Sequence, residues 1–450
     1  MEKKIESFEQ YIKEYEKSVN NPKQFWEEKA DHFTWKKKWD NILSWDFTKP
    51  EVKWFDGAKL NITENCLDRH LDKIANQTAI KWIANDPNEQ SKSLSYKELH
   101  TEVCKFSNVL KNNDAKKGDR ICLYMPMVPE LAIAVLDCAR IGAIHSVVFA
   151  GFSSKSLADR INDATCNILV TADGGFRGTK ITSLKDIADE AMNYTPSIKK
   201  CIVLERTKIK ILMKNDRDVW WNNEMEKVNS KCPVTIMDAE DPLFILYTSG
   251  STGKPKGIQH STAGYMVYTE FSFKNVFQYT QGDIYWCTAD IGWITGHSYI
   301  VYGPLLSGAT TMMFEGIPSY PDAGRFWRIV EENKVNIFYT APTAIRALEA
   351  KGIQFVSPYN LSSLKVLGTV GEPINEDAWH WYDKEIGKSD CPIVDTWWQT
   401  ETGGIMISNL AGITPSKPTF ATLPLPGIQP CLMDENGNEI NGGLVQGRLC

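Results

Sequence analysis

Tyr247-Thr-Ser-Gly-Ser-Thr-Gly-Lys-Pro-Lys-Gly257 joins an apolar run to a dense set of glycines, hydroxyls and lysines. Gly250, Gly253 and Gly257 permit positive φ and a close approach of the backbone to an anion. Thr248, Ser249, Ser251 and Thr252 bring hydroxyl donors for phosphate oxygens, and Lys254 and Lys256 bring positive charge. A Walker A loop, Gly-x-x-x-x-Gly-Lys-Ser/Thr, differs in that its lysine opens a helix whose N-terminus holds phosphate. Here Pro255-Lys256-Gly257 replaces the hydroxyl, and Pro255 biases Lys254 towards extended backbone. The stretch reads as a flap over phosphates rather than a helix-capped nest. The plain alternative is a solvated Gly/Ser turn before a strand.

Upstream of the flap, Phe244 to Tyr247 reads as an apolar strand, and phosphate loops of open α/β sheets stand at that carboxyl end. Ser95-x-x-Glu98 is a capping box, followed at helical spacing by Leu99, Val103, Phe106 and Leu110. The pattern predicts strands at 121–125, 144–149, 167–171 and 201–204, with a helix over 129–141 between the first two. Downstream it predicts helices over 325–333 and 343–351 and strands at 335–339 and 364–369. Strands separated by helices predict an α/β fold with two helix-flanked, mostly parallel sheets. Residues 1–75, with Trp26, Trp35, Trp39, Trp45 and Trp54, read as an extension pinned to the body by aromatic anchors. Residues 76–412 read as the helix-sheet-helix core. From 413 the texture turns Pro- and Gly-rich, as in Leu423-Pro-Leu-Pro-Gly427, and predicts the start of a small β-barrel subdomain over 413–450.

With 450 residues, 42% of them hydrophobic, the chain can bury a large core. A net charge of −6 argues against a nucleic-acid binder, which needs a basic excess. The eleven cysteines contain no C-x-x-C pair, and several lie in apolar runs, as expected of reduced thiols in a cytoplasmic protein. Leu131 to Phe152 is the most membrane-like stretch, but Asp137, Arg140 and His145 interrupt it and argue against a span.

Three further clusters, Val370-Gly-Glu-Pro373, Asp395-Thr-Trp-Trp-Gln-Thr-Glu401 and Asp290-Ile-Gly-Trp-Ile-Thr-Gly-His297, complete a pattern that resembles the adenylate-forming superfamily of acyl-CoA synthetases, luciferases and peptide-synthetase adenylation domains. The wording is similar to that of AMP-forming acetyl-CoA synthetases along the whole chain. The run from Trp397 to Gly404 is the most specific part. This resemblance implies the large N-terminal domain of the adenylate-forming fold and ligation of acetate, or propionate, to coenzyme A through an acyl-adenylate. ATP and Mg²⁺ would be required, and AMP and pyrophosphate released.

The resemblance also implies site residues. Thr248, Ser249, Gly250, Ser251, Thr252, Gly253 and Lys254 would hold the phosphates. Gly371, Glu372 and Pro373 would flank adenine, and Asp395, Thr396, Trp397, Trp398 and Gln399 would complete the nucleotide pocket. Thr400 would contact the α-phosphate and Glu401 would bind Mg²⁺, making Thr248, Lys254, Thr400 and Glu401 the catalytic set. Trp293, Ile294, Thr295, Val370 and Trp398 would shape the acyl pocket. Coenzyme A would meet Phe149, Ala150, Gly151, Arg177, Lys180, Thr295 and Ser319. Ala150, Lys180 and Ser319 depart from the glycine, arginine and asparagine common in relatives, and lysine gives up the bidentate phosphate contact of arginine. A ribose-binding aspartate, a hinge and a C-terminal lid domain are expected beyond Cys450, so the chain reads as a truncated large domain. Two other readings stand beside this one. A P-loop kinase or NTPase would release ADP and phosphate, and a non-catalytic nucleotide-binding module would release nothing.

Overall fold

A computed structural model describes residues 4–248, 254–443 and 445–450. Two seven-stranded sheets share one plan, six parallel strands closed by a single antiparallel edge strand. The first runs in the order Asp218–Trp220, Lys200–Leu204, Ile168–Ala172, Arg120–Tyr124, Ile144–Val147, Pro242–Thr248 and Lys256–Ser261. In the second the order is Ile393–Asp395, Val366–Thr369, Ile337–Thr340, Ile284–Cys287, Thr310–Phe314, Thr78–Ile83 and Lys92–Ser95. Only the last pair of each sheet is antiparallel.

The alternation predicted from sequence appears with boundaries shifted by a residue or two. The helix Tyr96–Asn112 carries the full capping box, and Leu99, Val103, Phe106 and Leu110 are all buried on its inner face. Helices Pro129–Ile141 and Arg325–Asn333 occupy the predicted spans. Pro at the first position of the former is tolerated because that N–H has no partner within the helix, and Gly142 closes it at φ 74. The membrane-like stretch is this helix and the strand after it. Arg140 within it is compensated by Asp68, which accepts bonds of 2.8 and 3.0 Å, and by the Cys232 carbonyl at 2.7 Å. Among the described residues no helix is long and apolar enough to cross a membrane.

One hydrophobic core runs from Ile5 to Leu425, and a second fills the outer face of the second sheet around Trp286, Trp327 and Phe338. The N-terminal helix Phe8–Asn20 is fastened to residues 424–428, more than 400 positions away. Tyr11 and Tyr15 donate to the Pro424 and Ile428 carbonyls at 2.7 and 2.9 Å, and Ser18 accepts from the Gly427 amide at 2.7 Å. Trp26 packs against Tyr268 and Phe271, and Trp35 and Trp39 against Phe55. Trp45 departs from the expected anchoring: it lies 61% exposed beside Phe47 near the turn of the hairpin Asn41–Asp46/Glu51–Asp56, beyond Leu43 and Trp54 of the same face, which pack on the core. Cys122 and Cys138 are buried, and no cysteine is paired among the described residues. Beyond 413, Leu432–Met433 pairs antiparallel with Arg448–Leu449.

Candidate active site

The flap is flanked by two antiparallel strands of the first sheet, Pro242–Thr248 and Lys256–Ser261. Thr248 stands opposite Lys256 and Tyr247 opposite Gly257 on antiparallel strands, so the chain leaves the loop as a strand where a Walker A loop requires a helix. A side chain at Gly257 would meet the Tyr247 ring at 3.1 Å, which accounts for glycine there. Tyr247 is itself fixed by a 2.7 Å bond to Asp163. Ser249, Gly250, Ser251, Thr252 and Gly253 lie outside the described residues. Lys254 is exposed beside them.

A second wall is formed where three neighbouring strands of the second sheet end in register at Thr340, Thr369 and Asp395. The Val370 amide donates to the Thr340 carbonyl at 3.1 Å, and the Thr396 amide to the Thr369 carbonyl at 3.2 Å. The Thr396 and Tyr339 hydroxyls are 2.6 Å apart. Asp395 is buried, and both its oxygens are engaged from within: Thr369 donates to one, and the Trp379 indole to the other at 3.0 Å. Burial raises its carboxyl to about 6 against those two bonds. From this wall Gly371, Glu372 and Pro373 emerge into solvent, Gly371 at φ 96 with open space around it and Glu372 paired with Arg346 at 2.9 Å.

The run after Asp395 is strapped to the first sheet. His260, on the strand that leaves the flap, donates from Nε2 to the Thr400 carbonyl at 2.7 Å. Burial pulls its imidazole below the usual range, and the Thr400 carbonyl and Glu401 pull the other way. Thr402 closes a turn onto Gln399, and Gly403 adopts φ 71 directly under the His260 ring. Ser298 donates to the Gly403 carbonyl at 2.5 Å, while Tyr268 and Tyr299 grip Ile405 from both sides. Trp397 and Gln399 are left exposed, as is Glu401. Trp398 packs edge-on against Tyr299 at 5.1 Å, and Val370 and Ile294 are buried. Thr295 is half-buried on the short helix Ile294–Gly296. The ring contacts of Trp293 are with Phe149 and Phe152, and it is 45% exposed.

A cavity of about 500 Å³ opens where carboxyl ends of strands from both sheets face each other, the usual place for ligands in open α/β folds. Phe149, Ala150, Gly151 and Arg177 line it together with Asp290 and Glu315. Burial raises Asp290 to about 6, opposed by its bond from the Gly292 amide and by Arg177. Glu315 is pushed up to about 7 by burial, with Arg206 pulling downwards. Lys180 and Ser319 lie in a neighbouring groove of about 400 Å³ that shares Arg177 with the cavity. Arg177 and Lys180 face each other across the small hairpin Gly175–Arg177/Lys180–Thr182. Thr295 lines neither space.

A family model described as AMP-binding enzyme matches residues 67–450, and one described as acetyl-coenzyme A synthetase N-terminus matches residues 11–66. The chain belongs to the AMP-binding enzyme family. Proteins named acetyl-coenzyme A synthetase from Desulfatibacillum aliphaticivorans and Alcanivorax borkumensis are 55% and 56% identical to it over 96% of its length. One from Leptospira biflexa is 54% identical over 99%. The chain spans 67%, 67% and 69% of those three relatives. At such identity this AMP-binding enzyme is a member of the acetyl-coenzyme A synthetase group.

Sequence reasoning about this AMP-binding enzyme passed over His260, Ser298, Tyr268 and Arg206. Each acts through a backbone carbonyl or a distant carboxylate. A lone histidine on a strand, or an arginine in a loop, carries no local pattern that shows such a partner. Gly403 and Gly404, by contrast, stand in the quoted motif, and the two nearby rings, His260 and Tyr268, explain them: a Cβ on either glycine would come within 2.8 Å of a ring atom.

Proposed function

We propose that the chain joins acetate to coenzyme A at the expense of ATP, passing through acetyl-adenylate and releasing AMP and pyrophosphate. Acetate has a pKa of about 4 to 5, as simple carboxylates do, so it is ionised at neutral pH and needs no general base to attack the α-phosphate. Catalysis then rests on alignment and on neutralising phosphate charge. The flap, with Thr248 and Lys254, holds the departing β- and γ-phosphates. Thr400 faces the α-phosphate, and the strand-end wall with Gly371, Glu372 and Pro373 receives adenine. Mg²⁺ takes one or two protein carboxylates and fills its shell with phosphate oxygens and water, which fits the single exposed carboxylate of Glu401. Bound there, it would neutralise charge on the phosphates.

In the second half-reaction the thiol of coenzyme A attacks the acyl carbonyl and AMP leaves. The two-sheet cavity is the entry assigned to coenzyme A, with Arg177 and Lys180 supplying positive charge for its phosphates. Val370, Ile294 and Trp398 bound a small acyl pocket. One extra methylene is worth only about 1–3 kcal/mol in such a pocket, so a tryptophan wall must exclude longer acids by volume.

The bond from His260 to the Thr400 carbonyl carries this reading, because it fixes the Thr400–Glu401 run to the strand that leaves the phosphate flap. Acetate-dependent exchange of pyrophosphate into ATP is the test. Exchange that is absent with acetate and propionate alike, in folded protein that binds ATP, would overturn the proposal.

A further inference from the structure

Arg206 lies behind the cavity wall, outside the residues that line it, at the junction of the two sheets. It follows the strand Lys200–Leu204 of the first sheet, and its backbone is held there by Asp173, a buried carboxylate at the end of the adjacent strand. Asp173 accepts from the amides of Arg206 at 2.8 Å, Thr207 at 2.9 Å and Lys208 at 2.5 Å. The guanidinium then reaches into the second sheet. Nε and Nη2 donate to Glu315, which follows Thr310–Phe314, at 2.9 and 2.6 Å, and Nη2 also donates to Glu89 at 2.8 Å. The guanidinium carbon lies 5.2 Å from the centre of the Trp82 ring and 4.7 Å from that of Phe176.

Phe176 belongs to the hairpin that carries Arg177 and Lys180. The tip of that hairpin has its own anchor from the second sheet's side. Asn85, buried, accepts from the Gly178 amide and donates to the Gly178 carbonyl, both at 2.8 Å. Gly178 sits at φ 60, which glycine adopts without strain. A two-stranded ribbon three residues long has too few bonds to hold itself, so its placement depends on these anchors.

We propose that Arg206, bonded to Glu315 and Glu89 and flanked by Trp82 and Phe176, is the positioning residue that sets the Arg177/Lys180 hairpin at the mouth of the cavity for a phosphorylated thiol substrate. The inference rests on the assignment of that cavity to coenzyme A. Charge-assisted bonds in a site sheltered from water are worth more than the same bonds at the surface, and flanking rings add to the preference for a planar cation over an ammonium. Arg206 thereby ties the geometry of the thiol entry to the relative placement of the two sheets.

The test compares wild type with Arg206→Met, Arg206→Lys and Phe176→Leu. Binding of ATP, of coenzyme A and of pantetheine, the same thiol arm without its nucleotide, is measured by calorimetry. Hydrogen exchange is followed across amides 175–182. We expect Arg206→Met to raise the Kd for coenzyme A about tenfold and to leave ATP and pantetheine within about twofold, with faster exchange in the hairpin. Arg206→Lys should recover part of the loss. Phe176→Leu keeps every charge, and because Phe176 itself lines the cavity its deciding readout is the hairpin's hydrogen exchange, which should quicken, separating positioning from simple electrostatics even if Arg206→Met does not fold. Unchanged coenzyme A binding and unchanged exchange in both variants would overturn the proposal, as would equal weakening of all three ligands. Wild-type protein that binds ATP but neither thiol would overturn the cavity assignment instead, and the exchange data would still show whether Arg206 holds the hairpin.

Discussion

On the wall proposed for the nucleotide, Thr340, Thr369 and Asp395 end three adjacent strands of one sheet, and the bonds among them are made within that sheet. On the cavity wall, the hairpin with Arg177 and Lys180 hangs from the first sheet but is held by Asn85 and Glu315 of the second, the latter acting through Arg206. The nucleotide wall is therefore as rigid as the sheet that carries it. Placement of the hairpin instead depends on how two sheets sit against each other. If the sheets shift, the proposed thiol entry should change before the proposed adenine cradle does.

Four substitutions on the nucleotide side break or sharpen that contrast. The largest effect is expected from Glu401→Gln. Removing one group that stabilises developing charge costs about 10²–10³-fold in rate, so acetate-dependent exchange should fall by that much. The side chain is exposed, and the thermal midpoint should stay where it is. Retained exchange would show that this run is not the phosphate end of the site.

Asp395→Asn is next and concerns the rigidity of the wall. The amide can donate to Thr369 and accept from Trp379, so the fold should survive. Wild-type Asp395 has a folded pKa raised to about 6, which means the native state holds that proton more tightly than the unfolded chain. Its contribution is fully present below the unfolded pKa near 4 and is lost as pH rises through about 6, on the order of 2–3 kcal/mol in all. Thermal midpoints of wild type and variant measured from pH 4 to 7 should therefore diverge, with wild type falling relative to the asparagine form. Parallel curves would mean that Asp395 stays ionised in the folded protein.

Gly403→Ala should cost about 1–2 kcal/mol from the left-handed backbone alone. Its Cβ would also stand 2.8 Å from His260, pushing the imidazole off the Thr400 carbonyl. Both a lower thermal midpoint and slower exchange are expected, and a loss of stability without a change in exchange would uncouple His260 from the chemistry. The smallest effect belongs to Arg346→Ala. Its pair with Glu372 is solvent-exposed, and such pairs contribute about 0–1 kcal/mol, so the Kd for ATP should move less than about fivefold. A larger change would mean that Glu372 is placed by that ion pair and not by the Gly371 turn.

Much of the scaffold was legible before any coordinates. The capping box at Ser95 and the apolar spacing behind it specify the helix Tyr96–Asn112, because its caps and one-sided burial are all local. The buried strands show as β-branched runs for the same reason. The extended exit of the flap follows from Pro255. Legibility stopped at Trp45, where five tryptophans in a charged stretch looked alike and only its place near the turn of the hairpin, beyond the core, leaves one exposed. It also stopped at Asp395, which the resemblance assigns to the nucleotide pocket and whose carboxylate Thr369 and Trp379 engage from within, a pairing no local pattern shows.

The sequence by itself determined the order of strands and helices, the glycine-, hydroxyl- and lysine-rich character of residues 247–257 and the family to which residues 290–297, 370–373 and 395–404 point. These follow from interactions between near neighbours, whose free energies are set by residue type and spacing. Tertiary structure alone decided that His260 would hold Thr400, that Asp395 would face inward, and that Arg206 would cross from one sheet to the other. Those contacts join residues 16 to 140 positions apart. Their energy appears only after chain entropy has been overcome by burial of the common core, and no local pattern records them.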